Sequence, residues 1–200
     1  MRKKRNWKKK LPFIGIFVLL ITMGMIGAIE ANRSDNRLQY DVGNPSEGME
    51  APDIYLESTD GDAFDLSAQR GETVLLYFQE GIMCQACWVQ LFDIEAILDT
   101  FEAYGVDQIV TITTDPIGPL RQMTEIYDFK TPILSDSDIE VSTRYETNLY
   151  GMPGMGENYN GHTFILVDKE GIIRWRADYG PYTMYVPVET ILEKIETSLD

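Results

Sequence analysis

The chain is short of the residues on which several function classes depend. It has two cysteines, Cys84 and Cys87, in 200 residues, and a single histidine, His162. Two thiols are too few for a disulfide-framed small fold or a thiolate-built structural zinc site, and one imidazole excludes the multi-histidine metal motifs. Whatever chemistry the thiols carry, they carry as a pair. Only 9 prolines stand against 16 glycines while 44% of residues are hydrophobic, which excludes collagen-like, low-complexity and disordered chains. Basic residues are scarce too: 17 against 32 acidic ones, a net charge of −15, argues against nucleic acid binding through a basic surface. Nothing in this inventory calls for a cofactor. The length suits one globular domain of about 150 residues plus a short appendage.

The few bases are unevenly placed. Seven of the 17 (Arg2, Lys3, Lys4, Arg5, Lys8, Lys9, Lys10) fall in residues 1–10, and an uncharged run of 19 residues follows from Leu11 to Ile29. As a helix that run would extend roughly 28 Å, close to the hydrocarbon thickness of a bilayer. A basic block before it and acidic residues after it predict a single-pass anchor with the N-terminus in the cytoplasm and everything after Glu30 outside. A cleaved signal peptide shares this layout, with Ala28 at a passable cleavage position, and is the alternative. Residues 30–47 are polar, contain Gly and Pro, lack apolar periodicity and read as a flexible linker.

From residue 48 to 200 the pattern is that of one α/β domain. Ile54–Glu57 and Phe64–Leu66 flank a turn at Asp60-Gly61 and predict a hairpin. Thr73–Phe78 (TVLLYF) is an unbroken apolar run, as expected of a strand buried on both faces near the centre of a largely parallel sheet. A helix begins at the cysteines, with Trp88, Leu91, Ile94, Leu98 and Phe101 on one face until Gly105 stops it. Further strands are expected at Gln108–Thr113, Ile133–Ser135, His162–Val167 and Ile172–Ala177. Helices are expected from Pro116 to about Asp128, over Ile139–Tyr145 and over Val188–Leu199, with a long glycine-containing loop over 146–161. Alternating strands and helices ending in a hairpin imply a mixed sheet flanked by helices.

Cys84-Gln85-Ala86-Cys87 opens a helix, and that position has chemical consequences. Unpaired backbone N–H groups and the helix dipole stabilise a thiolate, lowering a thiol pKa from about 8.5 toward 3.5–7.5. Cys84 is therefore the expected nucleophile. The offset of three residues brings Cys87 to the same face, where it can resolve a mixed disulfide or sulfenic acid on Cys84. An inert disulfide is the bland alternative, but a bridge across so short a loop removes little unfolded-chain entropy.

The segments APDIYLESTDGDAFDLSAQRGETVLLYFQEGIMCQAC, TITTD and GHTFILVDKEGIIRWRADYG resemble the peroxiredoxin-like AhpC/TSA (redoxin) branch of the thioredoxin superfamily, from about Gly48 to the C-terminus. The resemblance implies a thioredoxin-like fold with the reactive cysteines after the second core strand. It also implies a thiol-disulfide oxidoreductase or thiol-dependent peroxidase, a peroxide or protein disulfide as substrate, and a thioredoxin-type dithiol protein as reductant. The family's peroxide loop has a proline seven residues and a hydroxyl three residues before the cysteine; here those places before Cys84 hold Tyr77 and Gly81. Tyr77 also fills the place of the buried aspartate of thioredoxins. His162 takes the position of the family's arginine or of the thioredoxin cis-proline, so it is expected to face the cysteines, either tuning the thiolate or filling a strand end. Glu80, just before the pair, is the nearest proton acceptor, or else a solvated loop carboxylate. Copper chaperones of cytochrome oxidase assembly share the fold and offer the alternative, a copper site on Cys84, Cys87 and His162, although their cysteines are spaced Cys-x-x-x-Cys. Met83, Met152 and Met155 read as packing or loop residues.

Overall fold

The computed structural model describes residues 38–199. The basic tail, the anchor expected over 11–29 and the start of the linker lie outside the described residues. Among the described residues no helix is long and apolar enough to cross a membrane.

Seven strands form one sheet: β1 (Tyr55–Ser58), β2 (Phe64–Asp65), β3 (Val74–Phe78), β4 (Gln108–Thr113), β5 (Ile133–Ser135), β6 (Thr163–Val167) and β7 (Ile173–Asp178). Their spatial order is β2-β1-β5-β4-β3-β6-β7. The strands β3, β4 and β5 run parallel, while β6 and β7 extend the sheet antiparallel on one side and β1 and β2 on the other. The helices are α1 (Gln85–Glu95), α2 (Leu98–Ala103), α3 (Ile117–Tyr127), α4 (Glu140–Arg144) and α5 (Val188–Leu199). This mixed sheet with flanking helices is the thioredoxin-like arrangement.

Side chains alternate across each strand, so β3 sends Val74, Leu76 and Phe78 to one face and Leu75 and Tyr77 to the other. The first set joins Ile54, Leu66, Ile112, Ile165, Tyr145 and Val141 of α4 in the larger core cluster. On the opposite face Trp88 and Leu91 of α1 pack with Leu120 of α3, Phe129 and Ile133. All five residues of β3 are buried, as an apolar run covered on both sides requires. Tyr77 pairs in register with Phe164 of β6, and the two rings stack at 4.7 Å between centroids. Residue 162, two before Phe164, therefore projects toward α1, and this register delivers His162 to the cysteines.

Two expectations need correction. The helix predicted to run from the cysteines to Gly105 is broken: Ile97, at φ −135°, leaves the helical region, and α2 starts anew from it. No Gly or Pro marks residues 96–97, so composition carries no sign of the step. The linker expected over 30–47 is also not free along its whole length. Asp41 pairs with Asp178 at the end of β7, Gly43 N donates to the Asp178 carboxylate at 2.7 Å, and the Pro45 carbonyl accepts from Arg176 at 2.9 Å. Arg176 and Asp178 are both fully buried and bonded to each other, and a buried charge pair needs such surroundings to satisfy its remaining donors and acceptors.

Candidate active site

The site lies where β3 ends and α1 begins. The intervening loop is pinned from several directions. Asp115, just after β4, accepts the Ile82 backbone N–H at 2.6 Å and the Thr113 hydroxyl at 3.0 Å, and the Trp88 indole donates to the Ile82 carbonyl at 3.2 Å. Gly81 has φ +101°, and a Cβ there would lie 2.0 Å from the Asp115 carboxylate. Only glycine fits that turn. The loop so held turns Glu80 inward, so it is a buried carboxyl, 3% exposed, and not a solvated loop carboxylate.

Cys84 is the N-cap residue of α1, and its Sγ accepts the backbone N–H of Cys87 at 3.2 Å. The helix start thus aims its unpaired donors at the first sulfur. The pair is joined as a disulfide. Cys87 is fully buried, whereas Cys84 keeps 8% of its surface and is flanked by the exposed Met83 and Gln85. Access is to Cys84 alone.

Glu80 Oε2 lies 3.0 Å from Cys87 Sγ, and Oε1 finds no partner among the described residues. Burial pushes the Glu80 carboxyl up to about 7, because an unpaired carboxylate is costly away from water. With the disulfide formed, a hydrogen in the Glu80–Cys87 contact can come only from the protonated carboxyl. His162 is fully buried, and loss of solvation drives its imidazole down to about 3, so the ring is neutral. Its Nδ1 faces the Tyr77 hydroxyl at 3.2 Å and Cys87 Sγ at 3.9 Å. Burial, with Glu80 adding to it, holds the Tyr77 phenol well above its ordinary range.

The four residues singled out in the sequence, Cys84, Cys87, Glu80 and His162, therefore meet. His162 faces the cysteines as the strand register requires, and with the disulfide formed its ring is neutral and buried. Of the residues in the copper alternative, the two cysteines have ligand atoms grouped with those of Glu80 within 4.8 Å of one another, while His162 Nδ1 is turned to Tyr77. Met83 is 91% exposed, and Met152 and Met155 lie in the loop after α4. Sequence reasoning passed over Asp115 and Gln90. The second carried a signal: a polar residue inside the buried stripe of α1, three positions after Cys87.

A family model described as the AhpC/TSA family matches residues 48–176, so the chain belongs to the AhpC/TSA family. It is an oxidoreductase. Peroxiredoxin Bcp of Escherichia coli K12 is 30% identical over 126 residues, covering 62% of this chain and 79% of that protein. The thiol-disulfide oxidoreductase ResA of Bacillus subtilis is 25% identical over 146 residues, covering 70% of this chain and 76% of that protein. Among solved structures, the peroxidoxin BcpB of Mycobacterium tuberculosis superposes with a TM-score of 0.64 at 19% identity, covering 76% of this chain and 97% of that one. At that identity the likeness speaks for the fold alone.

Proposed function

We propose that this protein is a membrane-tethered, extracytoplasmic thiol-disulfide oxidoreductase that cycles the Cys84–Cys87 pair, with Glu80 carrying the proton of Cys87. One observation supports this most: a buried carboxyl, poised near neutrality, 3.0 Å from the inner sulfur. A proton carrier works best when its pKa is close to the working pH. The tether and the location outside the cytoplasm rest on the uncharged run 11–29 between basic and acidic flanks.

The geometry supports the following cycle. The Cys84 thiolate attacks one sulfur of a substrate disulfide, forming a mixed disulfide and releasing one substrate thiolate. The Cys87 thiol gives its proton to the Glu80 carboxylate and attacks Cys84 Sγ. The Cys84–Cys87 bond forms, the second substrate thiolate leaves, and each departing thiolate takes up a proton. Two electrons have passed to the substrate. A dithiol protein of the thioredoxin type reverses the exchange, and Glu80 returns its proton to the departing Cys87 sulfur.

Likeness to a peroxiredoxin supports a second reading, with a hydroperoxide as oxidant. Cys84 would then take one oxygen as a sulfenic acid, releasing an alcohol or water, and Cys87 would displace water from it. Against this, Gly81 offers no hydroxyl beside Cys84 where the family pattern has one.

The test uses the full-length protein in detergent, reduced and then offered a disulfide-bonded protein or hydrogen peroxide. Exchange with the protein disulfide should consume both thiols with a mass loss of two hydrogens. Cys87→Ser should accumulate a mixed disulfide through Cys84, and Glu80→Gln should slow resolution by about 10²-fold. Resolution at an unchanged rate in Glu80→Gln would overturn the assignment. Faster consumption of peroxide than of protein disulfide would favour the second reading, and 1:1 copper(I) uptake with both reactions slow would favour the copper alternative. Labelling of Cys84 in intact reduced cells by a membrane-impermeant maleimide checks the location.

A further inference from the structure

Gln90 makes the pair of contacts that decide where the hydrogen of His162 resides. It lies in α1, fully buried, and its side-chain Oε1 accepts the Val186 backbone N–H at 2.7 Å. The same oxygen faces His162 Nε2 at 3.4 Å, while the amide nitrogen has no partner among the described residues. A backbone N–H is a donor in every protonation state, so flipping the Gln90 amide would bring two donors together at 2.7 Å. The flip is therefore forbidden, and Oε1 presents its second lone pair to the imidazole. A bare Nε2 would then face an acceptor with its own lone pair.

We infer that Gln90 is a positioning residue that locks His162 in its Nε2–H tautomer, so that Nδ1 is an acceptor taken by the Tyr77 hydroxyl and the Cys87 proton is left to Glu80. This rests on the dithiol cycle proposed above and assigns the proton route within it. With Nε2 protonated, the lone pair of the neutral ring is on Nδ1, where Tyr77 Oη lies at 3.2 Å and Cys87 Sγ at 3.9 Å. The nearer hydroxyl takes it. For a Cys87 thiol the remaining acceptor is Glu80 Oε2 at 3.0 Å. The relay runs from Val186 N–H through Gln90 and His162 to Tyr77, and it leaves a single exit for the thiol hydrogen. The titratable groups facing the ring are Tyr77 from β3 and Cys87 from α1, with Glu80 beyond Cys87.

The chain has one histidine, so its ring nitrogens can be read in 15N-labelled full-length protein without assignment. Multiple-bond 1H–15N spectra at neutral pH should show a protonated Nε2 and a bare Nδ1. Gln90→Met should populate the Nδ1–H form to a comparable extent. Gln90→Glu keeps both acceptors and should preserve the tautomer while moving the imidazole titration to higher pH. A wild-type Nδ1–H ring, an unchanged tautomer in Gln90→Met, or an unshifted titration in Gln90→Glu would each overturn the inference. If Gln90→Met fails to fold, the wild-type and Gln90→Glu spectra still decide. Because the spectrum reads a tautomer and not turnover, an Nε2–H ring in a protein whose Glu80→Gln variant resolves normally would sink the proposed cycle and leave the lock intact.

Discussion

Burial acts on Glu80 and His162 in opposite senses, and the two effects overlap in pH. The Glu80 carboxyl is raised to about 7, so between its unfolded value of about 4.3 and that point the unfolded chain releases a proton that the folded chain keeps. Stability falls as pH rises through that window. The His162 imidazole is lowered to about 3, so between about 3 and its unfolded value near 6.5 the unfolded chain holds a proton that the folded chain lacks. Stability there rises with pH. From about 4.3 to 6.5 the two slopes oppose each other. Glu80→Gln should expose the rising histidine slope and stabilise the oxidised protein at pH 8 but not at pH 4, by roughly 1–3 kcal/mol. His162→Asn should expose the falling slope, and thermal melts across pH 4–8 would show both. The cysteine spacing made this site legible from sequence, and the strand pattern turned His162 toward it. The burial of Glu80 was not legible, since a charged loop residue is solvated unless distant residues such as Asp115 fold the loop inward.

At the scale of elements, the strands were easier to find than the loops. Apolar runs such as Val74–Phe78 and Phe164–Val167 state their own burial, and the terminal helix matches its predicted span of Val188–Leu199. The step between α1 and α2 leaves no mark in the sequence because it is made by backbone torsion at Ile97 without Gly or Pro. The loop over 79–84 depends on contacts across 33 residues of sequence, from Ile82 to Asp115, which no local pattern reveals. Asp115→Ala should therefore cost about 1–3 kcal/mol through the unmet Ile82 and Thr113 donors. It should also let solvent reach Glu80 and bring its pKa down toward 4.3. A urea melt measures the first, and the pH profile of disulfide resolution the second. An Asp115→Ala profile superimposable on wild type would show that the loop holds its shape without this anchor.

For the molecule as a whole, the clasp between residues 41–45 and the end of β7 ties a polar approach segment to the sheet. Composition alone marked that segment as free, because its partners, Arg176 and Asp178, lie more than 130 residues away. Arg176→Ala would leave Asp178 buried with its charge uncompensated, and a loss of about 3–5 kcal/mol is expected. Limited proteolysis should then cut at residues 38–47 far faster than in wild type; equal protection would mean that the clasp adds little. A larger consequence follows from the unequal exposure of the two sulfurs. Every visitor must knock at the same door, since one member of the pair looks outward and its neighbour looks only into the protein. In the exchange cycle proposed above, clients must therefore queue: with a single outward sulfur, no second client can be engaged until the first has been discharged.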